Sequence, residues 1–196
     1  MNGNALVHYI KYLVGLDVPE TQTTDQERQI ISKYAKNARL CVEIGVFEGV
    51  NTITIAQAMH PDGTMFGIDP FFKGRLGICY YEKIVRRAIN KRRLGDKVKL
   101  LPLLSYNAID QINDNIDFIF IDGDHSFEGL KRDWEDWTRK LTIGGIIALH
   151  DTSIPPHDLS VENLGSYKFY NEVIVKDRFF KNLETVDSLN VLQKIK

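Results

Sequence analysis

Apolar residues follow two rhythms along this chain. In the first, short runs rich in apolar residues stand at 40–46, 64–68, 97–101, 116–121 and 146–149, with 116–121 apolar on both faces. Such runs predict buried parallel strands. In the second, apolar positions recur every three or four residues. This spacing predicts helices over 5–16, 26–36, 50–59, 78–93, 105–112, 127–140 and 167–175. Thr24 or Asp25 can cap the second of these helices. The run His60-Pro61-Asp62-Gly63 and the stretch 142–145 read as turns, 16–24 as a connector, and 153–165 as an irregular insertion. Segments 180–186 and 190–195 alternate around Asp187-Ser188 and predict a terminal hairpin. Strand and helix thus alternate about five times before a hairpin. The expected fold is α/β: a doubly wound, mostly parallel, seven-stranded sheet with a C-terminal antiparallel hairpin.

Composition narrows the function class. At 196 residues the chain suits one domain with a full core, and its net charge of −1 gives no general attraction to nucleic acid or anionic membrane. No apolar stretch is long enough to span a membrane. The opening residues lack a basic leader and read as an amphipathic helix rather than a signal peptide. Cys41 and Cys79 make no disulfide framework, which points to the cytoplasm. Residues 1–24 are expected to form a helix and connector serving as a lid or dimer arm, and residues 25–196 the functional domain. The cationic positions Lys83, Arg86, Arg87, Lys91, Arg92 and Arg93 share one helix face and read as a solvated surface.

The stretch 40–50, LCVEIGVFEGV, places a glycine turn between a strand and a helix. A dinucleotide fingerprint counted from Gly45 needs glycines at 47 and 50, where Phe47 and Val50 stand, so a nicotinamide enzyme is disfavoured. The spacing present is Glu43-x-Gly45-x-x-x-Gly49. An acid here would repel pyrophosphate and attract a cationic or amine-bearing ligand. Asp69 follows Gly45 by 24 residues at the end of the next strand, where an acid can accept hydrogen bonds from ribose hydroxyls. The pattern resembles the first motif of S-adenosylmethionine (SAM) dependent methyltransferases of the Rossmann-like class I type. The resemblance implies that the turn lies under the methionine part of SAM. It also implies that Ser105, just past the third strand, contacts the adenine side.

Asp122, Asp124, His125, His150 and Asp151 fall at the ends of two further strands and would converge on one cleft. The stretch 116–153 resembles the small methyltransferases related to catechol-type and antibiotic-sugar O-methyltransferases. The resemblance implies that Asp122 belongs to both the cofactor and catalytic sites. It places a divalent ion, Mg or Mn, on Asp122, His150 and Asp151. Asp124 matches the general base of the sugar enzymes, and His125 falls near the lysine base of the catechol type. His150 departs from the family, since metal-dependent relatives usually carry Asp there. The reading is therefore a SAM-dependent O-methyltransferase acting on a small-molecule or sugar hydroxyl, with metal assistance left open. Its alternatives are a metal-independent enzyme with His125 or His150 as base, and a non-catalytic SAM-binding protein. Relatives suggest a homodimer.

Overall fold

The structure is a computed structural model and describes residues 5–74 and 77–196. Residues 1–4 of the N-terminal segment and Arg75 of the loop at 71–77 lie outside the described residues. The elements run α1 (Ala5–Leu13), α2 (Asp25–Ala35), β1 (Leu40–Ile44), α3 (Val50–Ala58), β2 (Thr64–Ile68), α4 (Tyr80–Lys91) and β3 (Val98–Leu101). Then follow α5 (Ser105–Ala108), β4 (Ile116–Ile121), α6 (Phe127–Lys140), β5 (Leu141–Leu149), α7 (Gly165–Glu172), β6 (Phe180–Val186) and β7 (Leu189–Lys194). The strands form one sheet in the order β3-β2-β1-β4-β5-β7-β6. The first five are parallel, and β7 runs antiparallel to both β5 and β6. This is the doubly wound seven-stranded sheet with a terminal hairpin that the sequence rhythm predicts.

Alternation along the central strands splits the core in two. Cys41, Met65, Phe118, Phe120 and Ala148 face the side covered by Ile31, Ile55, Val85 and Ile89. Val42, Ile44, Ile119, Ile121 and Ile147 face the side covered by Leu130, Trp134, Trp137 and Phe169. Successive strand residues point to opposite faces, so a strand that is apolar throughout needs helices on both. Trp134 and Trp137 are buried here, and Trp134 packs at 4.5 Å on Phe180 of the hairpin.

Two local expectations are revised. The turn expected at 142–145 lies inside β5, which begins directly after α6. The register passes from Ile116↔Leu141 to Phe118↔Ile146, so 142–145 bulge out of the ladder, with Gly144 in the left-handed region at φ +86°. The expected helix over 105–112 is α5 followed by a 3-10 turn over Ile109–Gln111. The insertion at 153–165 holds a 3-10 turn at Leu159–Asn163. Helix α2 is closed by a reciprocal cap: Glu27 N donates to Thr24 Oγ1 at 3.2 Å and Thr24 N donates to Glu27 Oε2 at 2.8 Å.

Candidate active site

The strand order reverses between β1 and β4, and the crevice beyond their carboxyl ends is where ligands bind in such sheets. Here the tips of β1, β2 and β4 are locked together through backbone. Gly45 N donates to Ile68 O at 2.9 Å, and Asp122 N donates to Ile44 O at 2.8 Å. Gly45 has φ +88°, and a Cβ there would stand 2.0 Å from the carbonyl oxygen of Asp122. Only glycine allows this approach. Gly49 serves packing instead. It caps α3 at φ +81°, and a Cβ would meet Val85 Cγ2 of α4 at 2.2 Å.

Asp69 ties the turn to β2. Its Oδ2 accepts from Val46 N and Phe47 N, each at 3.0 Å, and its Oδ1 accepts from Phe71 N at 2.8 Å. These bonds hold Phe47 at φ +51° and Phe71 at φ +44°, unusual for non-glycine residues. Glu43 lies behind this turn and is fully buried. Its Oε2 accepts from Thr52 Oγ1, and its Oε1 has no hydrogen-bond partner. Burial drives its pKa well above the ordinary carboxylate value, with Asp122 and Asp69 adding repulsion. Glu43 therefore favours its neutral form and does not line the cleft. The expected attraction of a cation by its charge gives way to support of the turn from beneath.

A cavity of about 560 Å³ opens above the turn, a size that suits a small ligand. Gly45, Asp69, Ser105, Asp122 and Asp124 line it, together with Asp133 of α6. One wall comes from the connector after α1, through Glu20, Thr21 and Gln22. That connector is fastened to the turn by Glu48, whose side chain is buried. Glu48 Oε2 accepts from Glu20 N at 2.6 Å and lies 3.0 Å from His8 Nε2. His8 Nδ1 lies 2.9 Å from Asp17 Oδ2. Burial opposes the charge on His8, but Glu48 and Asp17 outweigh it and raise its pKa.

The second cluster sits beside the cavity, at the tips of β4 and β5. His150 is buried, and three carboxylates surround it. Its Nδ1 lies 3.0 Å from Asp122 Oδ1 and 3.4 Å from Asp151 Oδ1, and its Nε2 lies 3.4 Å from Glu27 Oε2. These are ion-pair contacts without hydrogen-bond geometry, since neither ring nitrogen nor Asp122 Oδ1 has a hydrogen-bond partner. Burial disfavours the imidazolium, yet Asp122, Asp151 and Glu27 together hold its pKa well above the ordinary histidine value. Burial likewise pushes Asp151 and Glu27 upward, but contact with His150 outweighs it and holds both below the ordinary carboxylate range. Glu27 also accepts from Ser188 N at 3.0 Å and Ser188 Oγ at 2.8 Å, which joins α2 to the hairpin.

The donors that the structure gathers are Asp122, His125 and Asp151, whose ligand atoms all lie within 4.8 Å of one another. The sequence reading gave the imidazole position to His150, which also contacts both carboxylates. His125 Nδ1 lies 3.4 Å from Asp151 Oδ2 and its Nε2 3.9 Å from Asp122 Oδ1. One imidazole with two carboxylates is a donor set that fits a divalent ion such as Mn²⁺ or Zn²⁺. Asp151 has φ +53°, so the backbone is bent to aim its carboxylate at the cluster. Asp124 lies at the cavity rim, its Oδ1 accepting from Ser126 N at 2.9 Å. Gly129 makes room for it: a Cβ there would stand 2.4 Å from Asp124 Cγ.

Several of these residues escaped the sequence reading. Glu27 was visible only through its T-x-x-E capping spacing. Glu48 stands between the two glycines of the turn, and nothing in its spacing announces a partner 40 residues away at His8. Asp133 sits within a helix of mixed charge.

Comparison with known proteins gives a consistent picture. A family model described as a methyltransferase domain matches residues 42–152, more than half of the chain. A caffeoyl-CoA O-methyltransferase of Populus kitakamiensis is 31% identical over 151 residues, covering 71% of this chain and 57% of that protein. An uncharacterized protein of Sinorhizobium fredii is 26% identical over 133 residues, 65% of this chain and 15% of its own length. The chain thus spans less than two thirds of either relative. Among solved structures, the O-methyltransferase from Bacillus cereus in complex with SAH superimposes with a TM-score of 0.67 at 20% identity, covering 99% of this chain and 92% of that one.

Proposed function

This chain belongs to the methyltransferase domain family, and from that premise we propose that it transfers the methyl group of SAM to a hydroxyl oxygen of a small molecule or sugar. One observation carries the reading. The cavity at the sheet's reversal point joins the glycine turn and Asp69 on one side to Asp122 and Asp124 on the other. In this reading the methionine part of SAM lies against Gly45 and Val46, the ribose meets Asp69, and the adenine reaches toward Ser105. A carboxylate offers about four acceptor positions, so the three backbone bonds to Asp69 leave about one for a ribose hydroxyl. Glu43, Gly49 and the Glu48 fastening keep the turn in shape rather than touch the ligand.

The reaction is an in-line displacement. The acceptor oxygen forms a bond to the methyl carbon, the carbon–sulfur bond breaks, and SAH, a methyl ether and a proton result. Asp124 takes the proton, with His125 as the other base within reach of the cluster. The connector wall at Glu20–Gln22 keeps water out while opposite charges are neutralised. A divalent ion on Asp122, His125 and Asp151 would lower the acceptor's pKa when bound. A second, metal-free reading is favoured by His150, which contacts Asp122 and Asp151 and would offset part of their charge when protonated.

Calorimetry with SAH, and labelled methyl transfer from SAM to catechols, hydroxycinnamoyl thioesters and sugars, test the proposal. We expect SAH binding and label on a hydroxyl acceptor. Asp124→Asn should abolish transfer and spare SAH binding. Absence of SAH binding by the wild type overturns the reading. Activity lost in EDTA and restored by Mn²⁺ supports the metal-assisted form, and unchanged turnover in EDTA supports the metal-free one.

A further inference from the structure

Ser166 carries a buried hydroxyl that the reaction scheme above does not use, and it touches both loops of the second cluster. It stands in the first turn of α7 and is 2% exposed. Its backbone N donates to the carbonyl of His125 at 2.9 Å, and its Oγ donates to the carbonyl of Asp151 at 2.8 Å. Among the described residues neither carbonyl accepts from any other group. One residue thus bonds to the backbone of both members of a pair whose side chains meet at 3.4 Å, His125 Nδ1 and Asp151 Oδ2. The residue before it makes the approach possible. A Cβ on Gly165 would stand 2.0 Å from Phe127 N and 2.6 Å from the carbonyl carbon of Ser126, so glycine lets α7 begin directly against the loop between β4 and α6. Edge-to-face packing of Phe127 on Phe169, at 5.1 Å, holds α6 and α7 together there.

Asp151 needs such a hold. Its φ of +53° is a conformation that an L-residue keeps only where its surroundings over-determine it. The hairpin supplies one side, since Thr152 N and Ser153 N donate to Ser188 O at 3.0 and 3.1 Å. Ser166 supplies the other. The peptide between Asp151 and Thr152 is therefore gripped at both ends, its N–H by the hairpin and its C=O by α7. The chain runs from Asp151 through the insertion and returns 15 residues later to bond the carbonyl it left.

We propose that Ser166 is a positioning residue for methyl transfer: its hydroxyl clasps Asp151 to the His125 loop and so fixes the contact between those two side chains. The inference rests on the proposed function above, which gives His125 and Asp151 their part in the reaction. Ser166 does not line the cavity and acts only through the two loops it joins. The metal-assisted and metal-free forms both need this, because each requires the imidazole and the carboxylate at a set separation. One hydroxyl-to-carbonyl bond adds modestly to stability, but a displacement of about 1 Å near the reacting groups can cost about 100-fold in rate.

The experiment compares the wild type with Ser166→Ala, which removes the hydroxyl, and Ser166→Cys, which fills its space with a much poorer donor. Labelled methyl transfer is followed at saturating SAM on a hydroxyl acceptor of the wild type, SAH affinity is measured by calorimetry, and the crystal structures of the variants are solved. We expect kcat to fall about 10- to 100-fold in both variants. The KM for SAM and the affinity for SAH should stay within about twofold, since the substitution is remote from Gly45 and Asp69. Asp151 Oδ2 and His125 Nδ1 should stand more than about 4 Å apart in both, beyond ion-pair contact. Should Ser166→Ala not fold by circular dichroism, Ser166→Cys carries the same readings. An unchanged kcat or an unchanged separation overturns the proposal while the methyl-transfer reading stands. A wild-type rate in Ser166→Cys beside a low one in Ser166→Ala also overturns it, since it assigns Ser166 a packing role. So does SAH affinity that falls as far as kcat, since Ser166 would then support the whole domain. If the wild type transfers no methyl group, the proposed function fails, and the separation in the variants still decides whether Ser166 sets it.

Discussion

The two sides of the cleft solve the same problem, holding carboxylates at strand tips, by opposite means. On the β1–β2 side, Asp69 receives three backbone N–H bonds and, among the described residues, forms no ion pair. On the β4–β5 side, Asp122 and Asp151 have a cation, His150, and Asp122 Oδ1 and His150 make no bond of proper geometry. The first side is held by directional bonds and is pre-shaped. The second is held by attraction between one imidazole and several carboxylates, which is less sensitive to distance and tolerates rearrangement of its members. A site that binds a cofactor benefits from the first arrangement. One that must admit an acceptor and take up a proton benefits from the second.

Gly45→Val gives the largest expected effect and tests the pre-shaped side. The new Cβ would overlap the Asp122 carbonyl and adopt a left-handed backbone. We expect a loss of roughly 3 kcal/mol of stability by urea unfolding and no measurable SAH binding. Retained affinity would show that the strand tips can part. His150→Ala tests the other side. It leaves Asp122, Asp151 and Glu27 without their shared counter-charge and should cost about 3 kcal/mol, the scale for breaking a buried ion pair. SAH affinity should change much less than stability. If the two fall together, the sides are one unit and the contrast fails.

Asp69→Ala removes the carboxylate that accepts from three backbone N–H groups while leaving the glycines in place. SAH affinity should fall about 10- to 100-fold by calorimetry, with little change at the Asp122 cluster. His8→Gln gives the smallest effect. The folded-state pKa of His8 is raised above 6.5, so its contribution is fully present below that value and is lost as pH rises through the folded pKa. The variant should be about 1 kcal/mol less stable than the wild type at pH 6, and the gap should close in alkaline buffer. A pH-independent gap would mean that His8 acts through packing.

The same division governs what could be read in the sequence. Gly45, Asp69 and Asp122 announced themselves because strand, turn and spacing are local properties, and a glycine turn leaves a mark in the letters. The parallel order and hairpin followed from hydrophobic rhythm. The charge cluster was legible in its members but not in its roles. His150 was read as a metal ligand from the family resemblance, while Glu27 arrives from α2, more than a hundred residues earlier, and adds to the carboxylates that raise its pKa. Glu43 was read as a charge attracting a cationic ligand, but its neighbours Gly67 and Phe120 in the ladder place it inside the sheet layer. Asp133 turned toward the cavity only because α6 packs its apolar face on β4. Such roles depend on which distant elements meet, and no window of sequence contains that.

The fastening at Glu48 has one more consequence. Residues 20–22 wall the cavity and belong to a segment tied down by Glu48 and by the Thr23–Asn51 hydrogen bond, so occupancy of the cavity and attachment of that segment are thermodynamically linked. A ligand filling the pocket would protect the connector from proteolysis, and cutting the connector would weaken ligand binding. The outermost piece of the chain is in this sense a gauge of whether the innermost space is full.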